Sequence, residues 1–170
     1  KLFGYLSKNK IENTFFNLNS LKITNLQIER ILHGATLKSY SFEIYKTKKN
    51  IKKFININIV GKNKKSILKT KLDALIEGVF LTRDLVSEPG NILHPEEYAK
   101  RIAKLREIGI KVKIYDKKRL KKMGCGALLG VGQGSVRGSY LVTMEWKGAS
   151  SKTKPLAFVG KGVCFDTGGY

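Results

Sequence analysis

The chain closes on Pro155-Leu156-Ala157-Phe158-Val159, an apolar run that passes directly into Gly160-Lys161-Gly162-Val163-Cys164-Phe165-Asp166-Thr167-Gly168-Gly169-Tyr170. The first five residues read as a buried strand and the rest as its loop. Open α/β sheets place their ligand sites at the carboxyl ends of strands, where such loops begin. This loop holds one cation, Lys161, and one carboxylate, Asp166, among Gly160, Gly162, Thr167, Gly168 and Gly169. So many small and turn-forming residues cost backbone entropy unless something must approach the chain closely. A carboxylate at a strand end can hold a hard divalent cation, and an amine can join it once the ion's field leaves it neutral. A structural ion pair between Lys161 and Asp166 is the competing reading of the same two charges.

The remaining pattern is α/β. Leu2 to Leu6 and Thr14 to Leu18 read as short strands, and Leu26, Ile28, Ile31, Leu32 and Ala35 give an amphipathic helix from Thr24 to about Leu37. Tyr40 to Tyr45 and Phe54 to Val60 alternate as strands do. Between Ile67 and Val86 apolar residues recur at three- and four-residue steps, with Ser66 as N-cap and Pro89-Gly90 as the stop. That helix is read as a connection between two domains. Beyond it, Pro95-Glu96-Glu97 opens a helix, with proline at its first position and carboxylates where the helix dipole favours them. Gly109 ends it, Ile110 to Ile114 alternates as a strand, Asp116 caps a short helix through Met123, and Tyr140 to Trp146 is strand-like. Lys1 is not a methionine, and the chain stops a few residues after Asp166, so we read it as a piece of something larger.

A formal net charge of +20 raises the possibility of a nucleic-acid partner. Nearly all of that charge is lysine spread along every segment, with arginine only at Arg30, Arg83, Arg101, Arg106, Arg119 and Arg137. A solvated lysine surface is the favoured reading. No window is apolar enough for a membrane span, and two cysteines, Cys125 and Cys164, make no disulfide framework, so a cytoplasmic protein is expected. Small apolar packing is the reading for both.

Local motifs are mostly excluded. Ser135 stands where a dinucleotide fingerprint starting at Gly130 needs glycine, so Gly130 to Ser135 is read as a tight structural loop. Pro155 and Gly162 break the P-loop pattern around Lys161. His33 and His94 lack a second His or Cys at ligand spacing and are read as surface or capping residues. Ser135 lies in no nucleophile elbow.

Three stretches in order resemble the leucine aminopeptidase (cytosol aminopeptidase) family. They are Thr82-Arg83-Asp84-Leu85-Val86-Ser87-Glu88-Pro89-Gly90-Asn91 running on to Pro95, then Met123 to Ser135, then Val159 to Gly169, where Cys164 replaces the usual threonine. The resemblance runs from about Gly78 to the end. It implies a two-metal exopeptidase acting on peptide substrates, with Lys161 and Asp166 as metal ligands and Mn or Zn as the two divalent ions. It also implies that residues 1–62 are the C-terminal part of an N-terminal α/β domain, 63–88 a connecting helix, and 89–170 the start of the catalytic domain. A homohexamer is implied for the whole protein. No catalytic residue is assigned within the chain, because the family's catalytic lysine is expected beyond Tyr170. The chain alone is therefore expected to be inactive. The competing reading is a non-catalytic basic module that binds nucleic acid or an intact aminopeptidase subunit.

Overall fold

In the computed structural model the described residues are 1–17, 19, 22–48, 55–61, 69–149 and 153–164. The chain divides into two units, Lys1–Ser87 and Glu88–Tyr170.

The first unit is built on a parallel strand pair, which two residues of turn cannot connect. Strand β1 (Asn13–Asn17) lies beside β2 (Asn56–Val60), in register from Asn13 opposite Asn56 to Asn17 opposite Val60. Between them in sequence runs α2 (Asn25–Ser39). Thr24 starts α2 through a capping box: its hydroxyl accepts from the Gln27 N–H at 3.2 Å, while the Gln27 side chain accepts from the Thr24 N–H at 2.7 Å. Both strands alternate between half-buried and exposed positions, so one face of the pair is covered. On the other face Asn56 donates across the ladder to Asn13 at 2.9 Å. Helix α3 (Lys69–Ser87) packs against α2, and Ile28, Ala35 and Ile76 are buried.

Three expectations fail in this unit. Leu2 to Leu6 is not a strand but part of α1 (Leu2–Lys8). Its apolar residues fit helical spacing as well as alternation, and Leu6 is the one fully inside. Tyr40 to Tyr45 makes no ladder. Tyr40 instead lays its ring 5.2 Å from that of Phe80 and donates its hydroxyl to Asp84 at 2.8 Å. The Phe42 and Tyr45 rings, three residues apart, meet at 5.8 Å, which a strand would prevent by sending them to opposite faces. His33 is neither a cap nor a free surface group: its Nε2 is buried with no hydrogen-bond partner among the described residues. The helical periodicity hides this, because position 33 flanks the apolar stripe. Ser66 and Phe54 lie outside the described residues.

The second unit follows its pattern closely until its last segment. Helix α4 (Pro95–Ala103) continues into a 3-10 turn, Lys104–Ile108, and stops at Gly109, whose φ of 88° is the left-handed conformation that glycine adopts without strain. Strand β3 (Lys111–Tyr115) pairs antiparallel with β4 (Leu141–Glu145), Lys111 opposite Glu145 and Tyr115 opposite Leu141. Between them lie α5 (Lys117–Lys122) and α6 (Gly126–Val131). Asp116 caps α5 by accepting from the Arg119 N–H at 2.8 Å. Leu93, Ala99, Val112 and Leu120 form the core of this unit. Among the described residues Pro155 to Val159 pairs with no strand and is not buried, with Phe158 89% and Val159 100% exposed. An apolar run records that a segment is suited to burial, whereas burial itself needs neighbouring strands on which to lie.

No described helix is long and apolar enough to cross a membrane.

Candidate metal centre

The site loop belongs to the second unit, which opens at Glu88. Beyond Ser87 the chain turns at Pro89, whose carbonyl accepts from the N–H groups of Ile92 and Leu93, each at 2.9 Å. His94 then caps α4, its Nδ1 accepting from the Glu97 N–H at 3.4 Å, and Pro95 takes the first helical position. This part of the expectation, a capping role for His94, holds.

One guanidinium ties this turn to the helix. Arg101 donates from Nη1 to Glu88 Oε1 at 2.7 Å and from Nε to Glu97 Oε1 at 3.0 Å. The Glu88 side chain is 4% exposed, so its carboxylate is held inside by a charge-assisted bond. The bond to Glu88 first, and that to Glu97 second, push the Arg101 pKa above its ordinary value. The Glu88 that sequence reading placed in the first of three ordered stretches thus has a local structural reason to be acidic.

Tyr98, on the same helix, reaches the loop. A Cβ built on Gly162 would lie 3.0 Å from Cε1 and 3.4 Å from Cδ1 of the Tyr98 ring. The glycine therefore permits the close approach that its presence in the loop suggested, and what approaches is a ring of the chain itself. Lys161 is exposed, and no carboxylate among the described residues pairs with it. Cys164 is half-buried; its thiol points to the Gly162 carbonyl at 3.7 Å, and burial raises its pKa. Cys125 is half-buried too.

Asp166, the second expected ligand, lies outside the described residues together with Phe165 and Thr167 to Tyr170. The structure thus places Lys161, and the expected pairing with Asp166 lies outside the described residues. Among the described residues no group of three or more His, Cys, Asp or Glu side chains is arranged to hold a metal ion. Tyr98 and the Glu88–Arg101–Glu97 cluster were missed by sequence reading. The signal for Tyr98 was Gly162, and that for the cluster was the four-residue step from Glu97 to Arg101.

The glycine-rich turn after α6 is structural. A Cβ on Gly132 would overlap the Ser139 hydroxyl, and the Ser135 N–H closes the turn on the Gly132 carbonyl at 3.1 Å. A cavity of about 720 Å³ in the first unit is lined by Leu32, Ile57, Ile59, Leu72 and Ile76 together with the carboxylates Asp73 and Glu77, a pair that no third ligand-type side chain among the described residues completes.

Residues 80–170 match the family model described as the cytosol aminopeptidase family, catalytic domain. Two relatives are each described as a probable cytosol aminopeptidase. That of Phytoplasma mali is 44% identical over 163 residues, covering 91% of this chain and 33% of the relative. That of Brucella suis biovar 1 is 50% identical over 143 residues, covering 80% and 29%. Among solved structures, a mutant of tomato leucine aminopeptidase superposes with a TM-score of 0.72 at 22% identity, covering 84% of this chain and 31% of that one. The bottromycin maturation enzyme BotP, in complex with Mn, superposes with a TM-score of 0.66 at 20% identity, covering 80% and 30%. At those identities the likeness is one of fold, and it accords with a partial α/β architecture. The chain spans about a third of the length of the relatives it matches.

Proposed function

The chain belongs to the cytosol aminopeptidase family, and on that premise we propose that it supplies the opening part of the catalytic domain of a two-metal leucyl aminopeptidase. The proposed activity is release of N-terminal amino acids from peptides, by a protein that assembles as a homohexamer in the cytoplasm. Residues 1–62 are then the end of an N-terminal α/β domain, 63–88 the connecting helix and 89–170 the start of the catalytic domain. The observation that carries this reading is the family match over 80–170, because that span includes the whole run from Lys161 to Gly169.

The residues present suit a hard divalent cation. Lys161 offers an amine on an exposed loop, unclaimed by any carboxylate among the described residues, and Asp166 offers carboxylate oxygens. Lys161 can act as a donor only after losing its proton, which a nearby dication favours. Gly160 and Gly162 put no side chain beside that amine. When bound, two Mn or Zn ions would supply Lewis acidity toward a peptide carbonyl and bring the pKa of a water toward ~7. Two donors do not close the coordination of two ions, and the lysine and further ligands implied by the family lie beyond Tyr170. The 170-residue chain is therefore proposed to be inactive by itself.

The test is hydrolysis of leucine anilide with added Mn by this chain and by a version extended to the length of its relatives. Activity in the extended protein alone, abolished by Asp166→Ala, supports the proposal. Activity of the 170-residue chain overturns the proposed inactivity, and inactivity of both overturns the aminopeptidase reading.

A further inference from the structure

Helix α5 has an Asp116 cap and a basic last turn as stabilised helices do, yet it concentrates charge of one sign along its whole length. Its sequence is Lys117-Lys118-Arg119-Leu120-Lys121-Lys122, five cations in six residues, with no acidic residue in the first turn. Lys117 and Lys118 sit at the N-terminal end, where the dipole favours anions. Lys117 and Lys121, and likewise Lys118 and Lys122, are like charges four residues apart, a spacing that destabilises a helix. Among the described residues none of the five makes an ion pair. The nearest carboxylate in sequence, Asp116, is engaged by the Arg119 backbone N–H.

The same helix is firmly seated. Leu120 is 0% exposed, and the Arg119 guanidinium lies 5.1 Å from the centre of the Tyr115 ring. At about 100° per residue the five cations fan over roughly 200° of the helix surface, and Leu120 points away from the middle of that fan. All five are exposed. A rise of about 1.5 Å per residue gives one positive charge per ~1.8 Å of axis, close to the one negative charge per ~1.7 Å of a nucleic-acid duplex.

We propose that the exposed face of α5 is a docking surface for the phosphate backbone of a nucleic-acid duplex, bound without sequence preference. The four lysines are point charges on mobile stems, suited to phosphates and unsuited to reading base edges. An anionic membrane is the weaker fit, because the one apolar residue of α5 is wholly buried and none is left to enter a bilayer. This inference does not depend on the aminopeptidase reading, since α5 carries none of the proposed ligands.

Fluorescence anisotropy with a labelled 20-base-pair duplex, titrated over a range of KCl, tests the proposal on the 170-residue chain. Three proteins are compared: the chain itself, K117Q/K118Q/K121Q/K122Q, and the charge-matched K8Q/K22Q/K38Q/K48Q, each checked for fold by circular dichroism. Loss of at least ten-fold in affinity in the α5 variant alone is expected. Its log–log salt slope should be shallower by about 3 to 4, from roughly 0.9 per phosphate contact. Parallel DNA and RNA duplexes show which backbone is preferred, and binding of either supports the proposal. Equal losses in both variants would reduce the effect to net charge and overturn it. No duplex binding by the parent chain overturns it, as does tighter binding to phosphatidylserine vesicles. Failure of the α5 variant to fold transfers the test to K118Q/K122Q, from which about half the change in slope is expected and whose unchanged slope would overturn the proposal.

Discussion

Replacing Arg101 by Gln tests whether one guanidinium holds the entry to the site-bearing unit. Glu88 keeps a side chain that is 4% exposed, yet loses a 2.7 Å charge-assisted bond. Such a bond contributes about 1.5–3 kcal/mol, and breaking a fully buried pair costs about 3–5 kcal/mol. Arg101 itself is 27% exposed, so water can reach part of the vacated space and the lower range applies. Glu97, 35% exposed and four residues from Arg101, adds only about 0.3–0.5 kcal/mol. The expected loss is therefore about 2–3 kcal/mol. Trp146, the one tryptophan, lies in the same unit and reports its unfolding in urea. With a slope near ~1 kcal/mol per molar urea for so small a unit, the midpoint should fall by about 2–3 M. Glu97→Gln should move it by less than about 0.5 M. A midpoint shift below about 0.5 M for Arg101→Gln, or an equal shift for Glu97→Gln, would refute the reasoning.

Leu120→Ala removes a side chain with no exposed surface and should cost about 2–5 kcal/mol, read as the loss of the Trp146 transition midpoint. Asp116→Ala withdraws the cap of α5 and should cost about 1 kcal/mol, or ~4–8 °C in melting temperature for a unit of this size. Gly109→Ala forces an L side chain to φ 88° and should cost about 1 kcal/mol in the same melt, although the nearest atom to its new Cβ, on Trp146, leaves room at 3.5 Å. Glu96 has its pKa lowered chiefly by the hydrogen bond from Lys100, so its contribution is present above the ordinary glutamate range and is lost as pH falls through the depressed value. A carbon-detected titration should place this carboxyl below the ordinary value of ~4.3 in the parent and return it there in Lys100→Gln.

What could be read ahead of the structure follows from how local each signal is. Thr24, Pro95 with Glu96 and Glu97, Asp116 and Gly109 mark helix ends through bonds and backbone angles within a few residues, and all four helix ends fall where they point, the Gln27 half of the Thr24 box being visible only in the structure. Leu2 to Leu6 failed because five residues hold too little of either period to separate helix from strand. Tyr40 to Tyr45 failed because its aromatic residues meet partners at Phe80 and Asp84, some forty residues away, which alternation along the chain cannot show. Pro155 to Val159 differs again: its apolar content was read correctly, but the neighbours that would bury it are not among the described residues. At the candidate centre, glycine spacing pointed to a close approach at Gly162 without naming Tyr98 as the group that approaches.

The parallel pairing of β1 and β2 sets an order of events in folding. Asn13 and Asn56, bonded across the ladder, stand 43 residues apart, so this contact forms only after a long and entropically costly closure. Helix α2, stapled by its Thr24–Gln27 box, can form locally on the microsecond scale and shortens the span that remains to be closed. A ribosome releasing this chain would therefore expose β1 as an unpaired edge until α2 and β2 had both emerged, an interval in which holding chaperones or self-association would compete for the same strand.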